Sequence, residues 1–144
     1  MILLSLNIQG VGGSLKFASM RNFLSKTQPN VFFLQETLVV GEKERNFMYM
    51  LKPKWMICVV SSVEKSGGIL VSWDPNFFDL VLILGCGGIF LSGTSLADKR
   101  KVSFLNVYGP CQDRKNFWEK VDGRGLLDHG DLIMDGDVNF TINS

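Results

Sequence analysis

Ile2-Leu3-Leu4-Ser5-Leu6-Asn7-Ile8 and Val31-Phe32-Phe33-Leu34-Gln35-Glu36-Thr37 are two short apolar runs, each ending in polar residues, with a helical pattern between them. Runs of this length bounded by turn residues read as buried strands. Gly10, Gly12 and Gly13 make a loop after the first run. Ser14 then suits a helix N-cap, since its hydroxyl can accept from a free amide of the first turn. From Leu15 to Lys26, Met20, Phe23 and Leu24 keep helical spacing, and Pro29-Asn30 stop the helix. Strand, helix, strand with this connection is long enough for a parallel crossover.

Outward from this unit, Glu42 to Leu51 is a second amphipathic helix with Phe47, Met48 and Leu51 on one side, ended by Pro53. Consecutive strands follow at Trp55–Val60, Gly68–Trp73, Phe77–Leu84, Ile89–Leu96 and Lys101–Val107. Asp74-Pro75-Asn76 and Ala97-Asp98-Lys99-Arg100 carry turn chemistry, and the last two strands make a hairpin. Arg114–Val121 reads as a third helix, carrying Phe117, Trp118 and Val121. Leu132-Ile133-Met134 is a final strand that runs into Asp135-Gly136-Asp137-Val138-Asn139. There is no internal repeat and no low-complexity linker. The order predicts one α/β domain over residues 1–144, a sandwich with mixed sheets and helices packed on them.

Composition narrows the function classes. Fifteen Lys plus Arg stand against fourteen Asp plus Glu in 144 residues, a net charge of +1. Hydrophobic residues make up 46%, and charged residues 20%, against about 25% in an average domain. Disorder and a uniformly basic nucleic-acid coat are both excluded. Nucleic acid would be met through a local cluster: Lys99-Arg100-Lys101, Arg114-Lys115, or Lys52 with Lys54. Cys58, Cys86 and Cys111 have no C-x-x-C spacing, and read as reduced packing residues of an intracellular protein. The first positive side chain is Lys16, so no basic segment precedes the opening apolar run, and no export signal is expected. The longest uncharged apolar stretch, Leu80–Leu91, carries three glycines and is too short to span a bilayer, so no membrane partner is expected.

Polar residues recur where the strands end: Asn7, Gln35-Glu36, Asn106-Val107-Tyr108, and Asp137 with Asn139. In α/β sheets that edge is where ligands bind. Asp135-Gly136-Asp137-Val138-Asn139 fails as a calcium loop, since the sixth position is Phe140 and the twelfth lies past Ser144. The sole histidine, His129, sits in a loop, and no Ser-His-Asp or Cys-His set can be assembled.

Taken in order, Leu6-Asn7-Ile8-Gln9-Gly10, Phe33-Leu34-Gln35-Glu36-Thr37, Asn106-Val107-Tyr108-Gly109-Pro110 and Gly136-Asp137-Val138-Asn139 resemble the endonuclease/exonuclease/phosphatase superfamily. Within it they look most like the apurinic-endonuclease-like domain of LINE-type retrotransposons, especially plant ones. The resemblance implies a four-layered α/β sandwich with mixed sheets, of which this chain is the N-terminal part. It implies Mg²⁺ or Mn²⁺ held by Asn7 and Glu36. Asp137 would orient or deprotonate the attacking water, and Asn139 and Tyr108 would hydrogen-bond the scissile phosphate of DNA. Gln9 stands where many members carry an acid, Cys111 where many carry Asn, and Leu6 where Trp is common.

The family domain continues into a second half with a terminal Ser-Asp-His motif, whose histidine contacts the phosphate. Nothing after Asn139 supplies it, and His129 precedes the fourth motif. The expected protein is thus a retroelement-derived DNA endonuclease domain, truncated and catalytically incomplete. The alternatives are a non-catalytic remnant or nucleic-acid-binding fragment and, within the enzyme class, a phosphatase on another phosphate ester. The expected partners are DNA and either the missing C-terminal half or a second copy, joined through an inner sheet face left uncovered. A nuclear location follows only from the expected substrate.

Overall fold

The computed structural model describes residues 1–10, 14–38, 43–60, 68–84, 88–108, 119, 122–123 and 131–137. In order the elements are β1 (Leu3–Asn7), α1 (Ser14–Thr27), β2 (Val31–Gln35), α2 (Lys43–Leu51), β3 (Met56–Val60), β4 (Ile69–Trp73), β5 (Phe78–Leu84), β6 (Gly88–Ser95), β7 (Lys101–Tyr108) and β8 (Asp131–Asp137). The expected third helix lies outside the described residues except at Glu119, which is helical, as are Asp122 and Gly123.

Two four-stranded sheets form, with orders β1-β2-β4-β3 and β5-β6-β7-β8. Both are mixed, because β1 pairs parallel with β2 and β7 parallel with β8, while the other ladders are antiparallel. The parallel β1–β2 pair is the crossover unit, with α1 as its connection. β2 is apolar at nearly every position because both its faces are buried. Val31 and Phe33 look towards the second sheet. Phe32 and Leu34 look the other way, to Met20 and Leu24 of α1 and Phe47 and Met48 of α2. Phe23, part of the same helical spacing, is exposed.

Between the sheets, Val31, Phe33, Ile69, Val71 and Trp73 meet Phe78, Leu80, Ile89, Leu91, Val102 and Phe104. The expectation of an uncovered inner face is therefore not met. The strands after Pro53 do not extend one sheet: β3 and β4 join β1 and β2, and the Asp74-Pro75-Asn76 turn then carries the chain across to start the second. That turn is closed by Asn76 N–H donating to Asp74 Oδ1 at 2.9 Å and Phe77 N–H donating to Asp74 O at 3.0 Å. Self-association through an open inner face has no basis in the described residues.

Phe104 is the aromatic centre of this core. It is fully buried and meets Phe33 and Phe78 edge-on, with ring centroids 6.3 and 5.3 Å away. Replacing it with Ala is expected to cost about 3–5 kcal/mol, as truncation of a buried Phe does. Urea unfolding measures this, and a loss below about 1 kcal/mol would mean the sheets are not held together there.

No described helix is long and apolar enough to cross a membrane.

Candidate active-site rim

Because β1 and β2 are parallel and paired Asn7 to Gln35, the chain leaves both strands at the same end. The two exits are stitched together. Ile8 N–H donates to Gln35 O at 3.1 Å, and Gly10 N–H to Glu36 O at 2.7 Å. Lys16, in the first turn of α1, donates from Nζ to Ile8 O at 2.6 Å, Gly10 O at 2.7 Å and Gln9 O at 3.3 Å. A cation in a helix's first turn opposes the helix dipole. Here the ammonium is instead engaged by three loop carbonyls and holds the loop after β1 against α1.

Backbone strain gathers at this place. Gln9, Glu36 and Leu38 have φ of 48°, 53° and 57°, three of the five non-glycine residues with positive φ among the described ones. Left-handed backbone costs an L-residue about 1 kcal/mol or more, and such residues tend to cluster at functional sites. Asn7 is exposed and its Oδ1 accepts from Gln9 N–H at 3.3 Å, while Glu36, directly after Asn7's register partner Gln35, is half-exposed.

The second sheet delivers its own pair of strand ends. β7 and β8 run parallel with Asn106 opposite Asp135 and Tyr108 opposite Asp137. Gly136 lies between, with φ of 127°. A Cβ built there would stand 1.9 Å from Val107 O, so only glycine allows β8 this close to β7.

A buried amide bridge joins the two sheets at this end. Gln35 Nε2 donates to Asn106 Oδ1 at 2.9 Å and to Ser5 Oγ at 3.1 Å. Asn106 Nδ2 donates to Leu70 O at 3.2 Å and Leu34 O at 3.3 Å. The ends of β1, β2, β7 and β8 therefore share one rim. Asn7 and Glu36 lie at the same end of the first sheet, and Tyr108 and Asp137 take register-paired positions on the second. Asn139 lies outside the described residues, as do Cys86, Cys111 and His129.

Two strand-end residues prove to be interior. Gln35 is 5% exposed and Asn106 0%, so neither is offered to a ligand. No sequence signal separates them from Asn7, an amide that also ends an apolar strand and is exposed, and none marks Lys16.

The basic cluster Lys99-Arg100-Lys101 lies at the start of β7, roughly 20 Å along the strand from Tyr108. Arg100 there faces Asp98 at 3.8 Å and Asp131 at 4.0 Å. Lys52 sits over the Trp55 ring at 5.3 Å, next to Met56, which begins β3 opposite Trp73 at the end of the first sheet away from the rim. Neither cluster borders the rim. Cys58 on β3 is a half-buried free thiol whose burial pushes its pKa up despite the Arg45 charge, as befits a packing residue.

Among the described residues no group of three or more His, Cys, Asp and Glu is gathered. The rim does hold two hard oxygen donors, the Glu36 carboxylate and the Asn7 amide oxygen. That set suits Mg²⁺, which keeps several waters and needs only one or two carboxylates.

No family model matches the chain, and no curated protein matches its sequence. Solved structures share its fold. An endonuclease/exonuclease/phosphatase family protein from Bacteroides thetaiotaomicron is 14% identical with a TM-score of 0.68, over 99% of this chain and 64% of that one. Truncated TDP2 from Caenorhabditis elegans is 17% identical with a TM-score of 0.62, over 96% and 62%. The 3′ phosphatase NExo from Neisseria, bound to a product DNA hairpin, is 16% identical with a TM-score of 0.60, over 96% and 57%. The chain thus spans about three-fifths of the length of these structures and has the α/β sandwich fold that they share.

Proposed function

We propose that this chain is the N-terminal part of a divalent-metal-dependent phosphodiester hydrolase of the endonuclease/exonuclease/phosphatase superfamily, acting on DNA and of LINE-type retroelement origin. One observation carries the reading: four strands end on a single rim, and the residues there are those of the superfamily-like motifs. Glu36 and Asn7 would hold Mg²⁺ or Mn²⁺. When bound, such an ion stabilises negative charge building on phosphate oxygens. Asp137, ending β8, would orient the attacking water and take its proton. Tyr108, opposite it in register, and Asn139 would donate hydrogen bonds to the phosphate, an electrostatic contribution that grows as the phosphate gains charge.

Manganese titration followed by NMR tests the assignment. Amide signals near Asn7 and Glu36 are expected to broaden first, and Glu36→Ala to remove that broadening. Equal broadening in the variant would sink the metal assignment. A second reading draws on the match to a structure bound to a product DNA hairpin. On it, the chain is a non-catalytic nucleic-acid-binding fragment, with DNA affinity but no turnover. The match to a 3′ phosphatase keeps phosphate monoesters among the substrates to assay.

A further inference from the structure

We infer that the buried Gln35–Asn106 pair is a positioning element that sets the separation across the rim, between Asn7 with Glu36 on one side and Tyr108 with Asp137 on the other; the inference rests on the reading of the rim proposed above. Stability alone does not explain the pair. Two primary amides in an apolar interior must first be desolvated, and an apolar pair of similar shape is often equally stable. Direction is what the amides add. The apolar contacts between the sheets are non-directional and tolerate a small slide of one sheet over the other. Hydrogen bonds do not, because they weaken steeply with distance and angle.

The network is also placed to control that slide. Through Ser5, Gln35, Leu34, Leu70 and Asn106 it ties β1, β2, β4 and β7 together. Asn106 donates to two carbonyls and accepts from Gln35, so its amide orientation is determined on both sides. Gln35 immediately precedes Glu36 and is the register partner of Asn7. Asn106 stands two residues before Tyr108. Any slip between the sheets therefore appears undiminished as a change in the distance across the rim. A displacement of about 1 Å in a reacting geometry can cost on the order of a hundredfold in rate.

The test compares the chain with the double variant Gln35→Met/Asn106→Leu, which replaces both partners and leaves no orphaned side-chain amide. Urea unfolding reports the fold, and backbone residual dipolar couplings report how one sheet is oriented on the other. Manganese broadening at Tyr108 and Asp137, set against that at Asn7 and Glu36, reports the span of the rim. Expected are a cooperative transition, altered couplings between the sheets, and loss of broadening on the Tyr108 side with that on the Glu36 side kept. A folded double variant with unchanged couplings would overturn the inference. Should manganese fail to bind the parent chain, the metal reading falls, and the couplings still decide the positioning role. Should the double variant not fold, Ser5→Ala decides, since it removes only one partner of Gln35 from a half-buried strand: a smaller shift of the same couplings supports the role, and no shift overturns it.

Discussion

Gly136→Ala is expected to detach β8 from β7 and to take the Asp137 position with it. The methyl group would arrive 1.9 Å from Val107 O and 2.8 Å from Val107 N and C, all backbone atoms of a strand buried on the inner face. No rotamer relieves such a contact. The backbone at Gly136, with φ of 127°, is also one that L-residues rarely adopt. Overpacking costs about 1–3 kcal/mol and backbone strain another 1–3 kcal/mol. Together these approach the roughly 5–15 kcal/mol that holds a whole domain folded. Because β8 is the last strand of its sheet among the described residues, the loss is expected to be local before it is global. Amide exchange should therefore accelerate along Asp131–Asp137 and at its partners on β7, with the β1–β2 ladder still protected. Gly123→Ala is the control. It is helical, a Cβ there meets nothing within 4 Å, and the change is expected to be neutral or slightly stabilising. Equal stability and exchange in the two variants would show that the close approach of β8 to β7 is not maintained in solution.

How far the sequence carries depends on which forces are local. β2 and β4 were legible because burial on both faces leaves an unbroken apolar run. α1 was legible from its spacing and its stop. The β6–β7 hairpin was legible from its turn, where Lys99 takes φ of 60° and Arg100 N–H donates to Asp98 Oδ1 at 3.2 Å. Only the middle of β8 is visible in the sequence, because Asp131, Asp135 and Asp137 are poor strand formers and it is long-range pairing with β7 that extends the strand to both ends.

Sheet closure was not legible. β2 pairs with β4 rather than β3, and the move into a second sheet at Asp74 is decided by tertiary contacts. An uncovered inner face followed from counting one sheet where there are two. At the site, Asn7 and Glu36 are visible as polar residues at strand ends, and the paired strands β1 and β2 leave both at the same end of the first sheet. Gln35 and Asn106 looked the same in sequence, since a strand buried on both faces has no alternation to tell an inward amide from an outward one. Lys16 reads as one more helix cation until the loop carbonyls are seen around it. The basic cluster at Lys99-Arg100-Lys101 is the opposite case, conspicuous in sequence and at the wrong end of β7 for the rim.

The largest effect on turnover is expected from what the rim receives from these 144 residues and what it does not. On the proposed reading, the chain supplies the metal-holding oxygens, the water-orienting Asp137 and two phosphate donors. The superfamily resemblance implies one more member, a histidine on the phosphate, carried by a motif that has no counterpart after Asn139. His129 precedes the fourth motif and is not a substitute for it. Groups that act on one phosphate work as a unit, and removing a central member typically costs roughly 10⁴–10⁶ in turnover, about as much as removing several. Metal binding has no such dependence, since Glu36 and Asn7 both lie on the first sheet. The two properties should therefore separate. The 144-residue chain is expected to bind Mn²⁺ in a Glu36-dependent way while leaving abasic duplex, supercoiled plasmid and 3′-phosphorylated DNA uncut, under conditions where the Neisseria 3′ phosphatase processes its substrate. The measurement is a nicking and phosphate-release assay in saturating Mg²⁺, run beside Asp137→Ala as the background. Turnover that rises above that background and vanishes with the Asp137 carboxylate would mean that the rim is complete without the histidine. The chemistry would then rest on the metal-holding oxygens, Asp137 and the two phosphate donors alone.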